Sequence, residues 1–317
     1  MEDNEIINQR LSFVIPCYGS EKTISHVIEE LISIIENDTQ YEIICVNDCS
    51  PDGVYEVLVK LAEKNKNLKI VNLAKNFGQH SALMAGLRYT SGDIIVCMDD
   101  DGQTDPKYCY ELINSLNENT DIVYAKYISK KESPFRLFGS WTAKKMGQWL
   151  CSIPKNIELN SYFACKRFVV NEVIRYENAY PYLAGLIFRA SKKVVNVDIP
   201  HHEREIGKSG YSLKKLISLW MNGFTAFSVK PLRIATVIGG ITAVVGFLYA
   251  IYTIINKILH LDLPMGYSSL MCVLLFIGGM MMLMLGLIGE YVGRIYICLN
   301  KAPQYVVRNT INIKDEK

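Results

Sequence analysis

The sequence predicts an α/β domain on a largely parallel sheet, followed by juxtamembrane amphipathic helices and a two-helix transmembrane hairpin. Two observations carry this. Short apolar runs alternate with amphipathic segments through the first part of the chain, the pattern of strands covered on both faces by helices. Charge then almost vanishes: between Arg233 and Glu290 the only formally charged residues are Lys257 and Asp262. The expected divisions are a cytoplasmic α/β domain over 1–210, interfacial helices over 211–232, two spans within 233–292 (234–256 and 268–290) and a cytoplasmic tail over 293–317.

Leu11–Pro16 is a short apolar run ending in Pro, hence a strand. Over 23–37, Ile24, Val27, Ile28, Leu31 and Ile35 recur at helical spacing, with Thr23 as N-cap. Strands over 41–46, 68–73 and 93–98 then alternate with helices over 52–64 and 80–89. In such sheets ligands bind at the carboxyl ends of the strands. Those ends carry Pro16-Cys17-Tyr18, Asn47-Asp48 and Asp99-Asp100-Asp101.

The two uncharged runs, Ile234–Ile255 and Ser268–Gly289, are each about 22 residues, or about 33 Å as helices, enough to cross a bilayer core. Buried core helices are seldom uncharged all round, so the runs read as spans. Lys214, Lys215, Lys230 and Arg233 precede the first run, and Arg294, Lys301 and Arg308 follow the second. The positive-inside rule then puts both termini in the cytoplasm of an inner (plasma) membrane protein. No Asp, Glu, Lys, Arg or His lies inside either run, so the pair reads as an anchor. Leu213–Phe227 reads as an interfacial helix, with Trp220 at headgroup level.

Composition excludes several classes. Lys+Arg 34 against Asp+Glu 32 argues against nucleic-acid binding, and 50% apolar residues argue against disorder. The nine cysteines include no CxxC, so they read as reduced thiols in a core. The polar, acidic start contains no secretory signal.

Asp99-Asp100-Asp101-Gly102-Gln103 is the most informative segment. In an extended stretch Asp99, Asp101 and Gln103 share a face, and their oxygens suit a hard ion such as Mg²⁺ or Mn²⁺. The bland alternative is an acidic turn whose Asp105-Pro106 starts a helix. Asp48 either accepts a hydrogen bond from a nucleobase or belongs to a turn in which Ser50 and Asp52 cap the next helix. The loop Lys75-Asn76-Phe77-Gly78-Gln79-His80 can cradle a diphosphate at a helix N-terminus. Arg204, Lys208 and Ser209 read as phosphate ligands or as a basic stretch attracted to anionic lipid. His201 and His202 point to opposite faces of a strand and make a poor metal pair.

Together, VIPCYGSEKTI, VNDCSPDG, NFGQHSALMAGL, MDDDGQTDP, HHEREIGKSGYS, the PLR before the first span and GEYVGRIY after the second resemble the family-2 inverting glycosyltransferases that load sugars onto polyprenyl phosphate. The family includes dolichyl-phosphate mannose synthases and bacterial undecaprenyl-phosphate glycosyltransferases. NFGQHSA with HHEREIGKSGYS looks most like the aminoarabinose-type transferases. The resemblance implies a GT-A, Rossmann-like fold and a nucleotide-sugar donor held by Pro16, Tyr18, Glu21, Asp48, Lys75, Gly78, Gln79, Asp99 and Asp100. It maps the metal onto Asp99, Asp101 and Gln103, and the acceptor phosphate onto Arg204, Lys208 and Ser209. Asp99, Asp101 and Arg204 would be the catalytic residues. It also implies a bilayer-bound homo-oligomer, up to a tetramer.

The sequence departs from the family pattern in three places. Gly19-Ser20-Glu21 replaces the usual Asn-Glu, Asn47 replaces the first Asp of an Asp-Asp pair, and Ala164 in SYFACKRF stands where an Arg is common. Acceptor binding there would fall to Lys166 or Arg167. Two other classes compete. A processive polysaccharide synthase would bring a QxxRW-type motif and more spans, neither of which is present. A non-catalytic membrane scaffold would have no use for carboxylates at the strand ends.

Overall fold

A computed structural model describes residues 9–35, 40–102, 104–128, 154, 156–200, 230–259 and 266–313. The chain forms two compact units, Met1–Ser218 with Lys301–Lys317, and Leu219–Asn300.

The first unit is built on an eight-stranded sheet of order β7-β5-β6-β4-β1-β2-β3-β8. Its strands are β1 (Leu11–Cys17), β2 (Tyr41–Asn47), β3 (Leu68–Leu73), β4 (Ile94–Cys97), β5 (Ile122–Ile128), β6 (Phe163–Lys166), β7 (Val194–Pro200) and β8 (Val307–Ile311). Its helices are α1 (Ile24–Ile35), α2 (Val54–Lys64), α3 (Gln79–Arg88), α4 (Cys109–Asn114, preceded by a 3₁₀ turn at Pro106–Tyr108), α5 (Arg167–Val173) and α6 (Leu183–Ala190). The five strands and helices expected between Leu11 and Leu73 lie within two residues of these bounds. The reason is visible in burial: β1 is buried at every position, and α1 buries the Ile24, Val27, Ile28, Leu31 and Ile35 face.

The sheet is mixed rather than wholly parallel. β1 pairs in parallel with β2 and β4, β2 with β3, and β5 with β7. β6 inserts antiparallel between β4 and β5. β8 runs antiparallel along β3, with Asn309 opposite Asn72. The C-terminal segment is therefore not a free tail. It completes the sheet edge, and Ala74 N–H donates to the Val306 carbonyl at 2.8 Å.

Thr23 does not cap α1. Its hydroxyl donates to the Asp100 carbonyl at 2.7 Å, tying the start of the helix to the acidic segment. Asp105 does cap, accepting from Lys107 N–H at 3.0 Å with Pro106 beside it.

The second unit contains α7 (Lys230–Leu259) and α8 (Tyr267–Leu299), with Gly239 of α7 facing Met284 of α8. Among the described residues Phe276–Leu299 is long and apolar enough to cross a membrane, with mean hydropathy 1.6, and Val237–Tyr249 is a shorter apolar stretch. The interfacial segment expected over 213–227 lies outside the described residues.

Candidate functional site

Parallel strands bring their carboxyl ends to one side of a sheet, so the loops after β1, β2, β3 and β4 meet there. Hydrogen bonds cross-link all four. Tyr18 N–H donates to Asp100 at 2.9 Å, and Gly19 N–H to Ser50 Oγ at 2.8 Å. Glu21 N–H donates to Asp52 at 2.9 Å, while the Glu21 carboxylate accepts from Gly53 N–H at 3.1 Å. Cys49 takes a φ of 50°, a left-handed conformation unusual outside glycine and common at ligand sites. Asn47 Oδ1 steadies it from the next residue, accepting from Ser50 N–H at 3.1 Å.

Asp48 is 3% exposed, and its two oxygens accept from Phe77 N–H at 2.7 Å and Gly78 N–H at 2.8 Å. It ties the β2 end to the β3–α3 loop, the role that strand adjacency rather than sequence assigns it. Burial raises its pKa, against the two amide bonds that lower it. On the same loop Lys75 Nζ stands 4.9 Å over the Phe77 ring. That places an exposed cation beside the start of α3. Pro16 is buried within β1 and shapes the strand, whereas Tyr18 is 54% exposed and offers a ring face just beyond it.

The acidic segment divides its carboxylates. Asp99 accepts from Gln79 Nε2 at 3.0 Å and from the Ser161 hydroxyl. Asp100 faces Tyr18 instead, and burial raises its pKa. The chain after β4 bends rather than extends, with Gly102 at φ 74°, so strand alternation does not by itself align Asp99 with Asp101. Gln103 lies outside the described residues, as do Arg204, Lys208 and Ser209.

Arg167 is not brought to this cluster. It follows β6, whose end pairs with the start of β4, and its guanidinium donates to the Gly92 carbonyl at 2.6 Å and Thr90 Oγ1 at 2.9 Å. It sits at the opposite end of the strands from Asp99. The expectation that it holds an acceptor phosphate is therefore corrected: antiparallel β6 carries its following residue away from the site. Lys166 likewise pairs with Asp121 at 3.0 Å.

One residue near Asp99, Tyr124, escapes a reading of the sequence, whereas His80 ends the loop read there as a diphosphate cradle. Tyr124 and His80 line a cavity that Gln79 and Ser161, the partners of Asp99, also line. Nothing in the sequence singles out Tyr124, and only the closure of β5, β6 and α6 around it places it beside Asp99's partners.

Comparison with known proteins agrees with this geometry. Residues 12–173 match the Glycosyl transferase family 2 model, and 230–295 match the GtrB C-terminal hairpin. An uncharacterized glycosyltransferase of Synechocystis sp. is 33% identical over 94% of this chain and 94% of its own length. The undecaprenyl-phosphate 4-deoxy-4-formamido-L-arabinose transferase of Photorhabdus laumondii is 30% identical over 96% of this chain and 94% of its own. Mannosyl-3-phosphoglycerate synthase of Rubrobacter xylanophilus has the same fold, with TM-score 0.53 and 17% identity over 68% of this chain and 72% of that one.

Proposed function

The chain belongs to glycosyl transferase family 2, and from that premise we propose that it moves one sugar from a nucleotide-sugar to undecaprenyl phosphate at the cytoplasmic membrane face. One observation carries the acceptor reading. The similarity to undecaprenyl-phosphate transferases runs through both units, including the apolar helices, rather than through the catalytic unit alone.

The strand-end cluster suits the donor. Tyr18 offers a face for a base, Asp48 fixes the Phe77–Gly78 loop, and Lys75 stands where a diphosphate would lie. Asp99, Asp101 and Gln103 offer oxygen donors of the kind a hard divalent ion prefers. No group of three His, Cys, Asp or Glu side chains is gathered among the described residues. Mg²⁺ and Mn²⁺ sites commonly use one or two carboxylates and complete their shell with substrate phosphate oxygens. When bound, such an ion neutralises charge developing on the departing nucleoside diphosphate.

The acceptor requires little activation. A phosphate monoester has a second pKa near 6, so its oxygen is largely ionised at neutral pH. In-line attack at the anomeric carbon forms a carbon–oxygen bond to the lipid phosphate as the bond to the donor diphosphate breaks. The leaving diphosphate takes the electron pair, and the anomeric configuration inverts. Arg204, Lys208 and Ser209 are the residues proposed for the acceptor phosphate, being a basic group just ahead of the membrane unit.

The anchor we propose is a two-span hairpin, a reading supported by the two apolar runs and by the match of 230–295 to a C-terminal hairpin. The pairing of β8, after α8, with β3, before α7, is compatible with it. The basic flanks argue that both ends of the hairpin lie in the cytoplasm.

The test is purified full-length protein in nanodiscs with undecaprenyl phosphate and a panel of nucleotide-sugars. Organic-extractable label should form with at least one donor, only when the lipid phosphate is present. Donor hydrolysis without any lipid product would reject the reading.

A further inference from the structure

Three asparagines stand side by side across three strands. Asn47, the last residue of β2, is the register partner of Asn72 in β3, and Asn72 is the register partner of Asn309 in β8. The register between β3 and β8 shifts directly after Asn72, an irregularity of the kind that re-aims side chains. The three amides form one directed chain. Asn47 Nδ2 donates to Asn72 Oδ1 at 2.9 Å, Asn72 Nδ2 to Asn309 Oδ1 at 2.8 Å, and Asn309 Nδ2 to the Tyr55 hydroxyl at 2.7 Å. Asn47 and Asn72 are buried, whereas Asn309 is exposed at the sheet edge.

Both ends of this chain meet the turn after β2. At the near end Asn47 Oδ1 accepts from Ser50 N–H at 3.1 Å, across Cys49 at φ 50°. Ser50 Oγ in turn accepts from Gly19 N–H at 2.8 Å, next to the exposed Tyr18 ring. At the far end Tyr55 lies in the first turn of α2, the helix that the same turn leads into. An amide bonded through both Oδ1 and Nδ2 is fixed in rotation, whereas one bonded through Oδ1 alone can turn. A left-handed residue other than glycine persists only where its surroundings over-determine it. The asparagine chain supplies that constraint to Cys49 from the edge of the sheet.

We propose that Asn72 and Asn309 are positioning residues for the donor: acting through Asn47, they hold the turn over 49–52, so that β8 sets nucleotide affinity from two strands away, about 10 Å at ordinary strand spacing. The inference rests on the donor reading above and adds residues on which its affinity depends. A chain of amides that merely stitched β8 to the sheet would matter to stability alone. Asn312 supplies the comparison, because it does stitch: its Nδ2 donates to the Ala62 and Leu68 carbonyls at 2.8 Å each, at the other end of β3.

The experiment compares wild type, Asn309→Ala, Asn309→Asp and Asn312→Ala as full-length proteins in nanodiscs. Calorimetry with UDP, GDP and CDP in Mg²⁺ measures affinity, and circular dichroism on heating gives the melting temperature. For each nucleotide that wild type binds, Asn309→Ala should weaken binding about five-fold, as for one neutral hydrogen bond. Its melting temperature should barely move, since the side chain is exposed. Asn309→Asp should stay within about two-fold of wild type. A carboxylate still accepts from Asn72, and it also accepts from the Tyr55 hydroxyl, which can donate as well as accept. Asn312→Ala should do the reverse of Asn309→Ala, lowering the melting temperature while affinity stays within about two-fold. Unchanged affinity in Asn309→Ala, no recovery in Asn309→Asp, or affinity that merely follows the melting temperature across the variants would overturn the inference. Wild type that binds none of the three nucleotides would instead sink the donor reading on which it rests.

Discussion

Asp48→Asn separates a loop anchor from a direct base contact. The Asp48 carboxylate accepts two backbone N–H donors, from Phe77 at 2.7 Å and Gly78 at 2.8 Å. An asparagine offers one acceptor oxygen, and its amide nitrogen would point a donor at the other N–H. One charge-assisted bond is lost, worth about 1.5–3 kcal/mol, and the remaining one is weakened to a neutral bond. If the loop must be fixed for the donor to bind, this converts to about a ten- to hundred-fold loss in donor affinity. The melting temperature should move little, because ionised Asp48 is itself opposed by burial, the cause of its raised pKa. Calorimetry with UDP, GDP and CDP is the assay. A loop anchor predicts a similar loss for all three bases. A loss confined to one base would show that Asp48 reads the base, and unchanged affinity for all three would refute the anchoring argument.

Other perturbations test other parts of the account. Glu42 is 1% exposed, and its pKa is opposed by burial but held below the ordinary value by hydrogen bonds from Lys69, Ser12 and Ser91. A lowered folded pKa gives stability that is present above the unfolded value and is lost as pH falls through the folded one. Glu42→Gln should therefore cost about 3 kcal/mol in urea unfolding at pH 7, and progressively less as the pH falls through the lowered folded value. A β-carbon at Gly86 would meet Val14 Cγ1 at 2.5 Å and Val46 Cγ2 at 2.9 Å. Gly86→Ala should thus lose about 1–3 kcal/mol by overpacking, read as a fall in melting temperature. Asp101→Asn should abolish most transfer with the fold intact by circular dichroism, and chelation should silence the wild type until Mg²⁺ or Mn²⁺ is restored.

The first half of the sheet was legible because each strand from β1 to β3 is a mostly apolar run and each helix between them shows a 3.6-residue face. β8 was not legible. VRNTI carries two polar residues and an Arg, and it becomes a strand only through its register with β3. Asn309 Oδ1 accepts from Asn72 at 2.8 Å, and Asn72 Oδ1 accepts from Asn47 at 2.9 Å. Three asparagines from distant segments thus form one ladder reaching the Asp48 loop, which no local pattern reveals. The site was half legible. Carboxylates at strand ends mark a binding edge by residue type alone, but the division of Asp99 from Asp100 depends on which loop each one faces. Arg167 misled for the same reason, since the direction of β6 is a tertiary fact.

The most direct test of the central claim is the identity of the nucleotide released as the lipid product forms. Purified protein, undecaprenyl phosphate and the preferred donor are incubated together, and both products are weighed by mass spectrometry. Sugar transfer to the lipid phosphate predicts one nucleoside diphosphate released per lipid-linked sugar, and a lipid carrying a single phosphate. Release of a nucleoside monophosphate with a lipid diphosphate would mean transfer of a sugar phosphate, and would contradict the account.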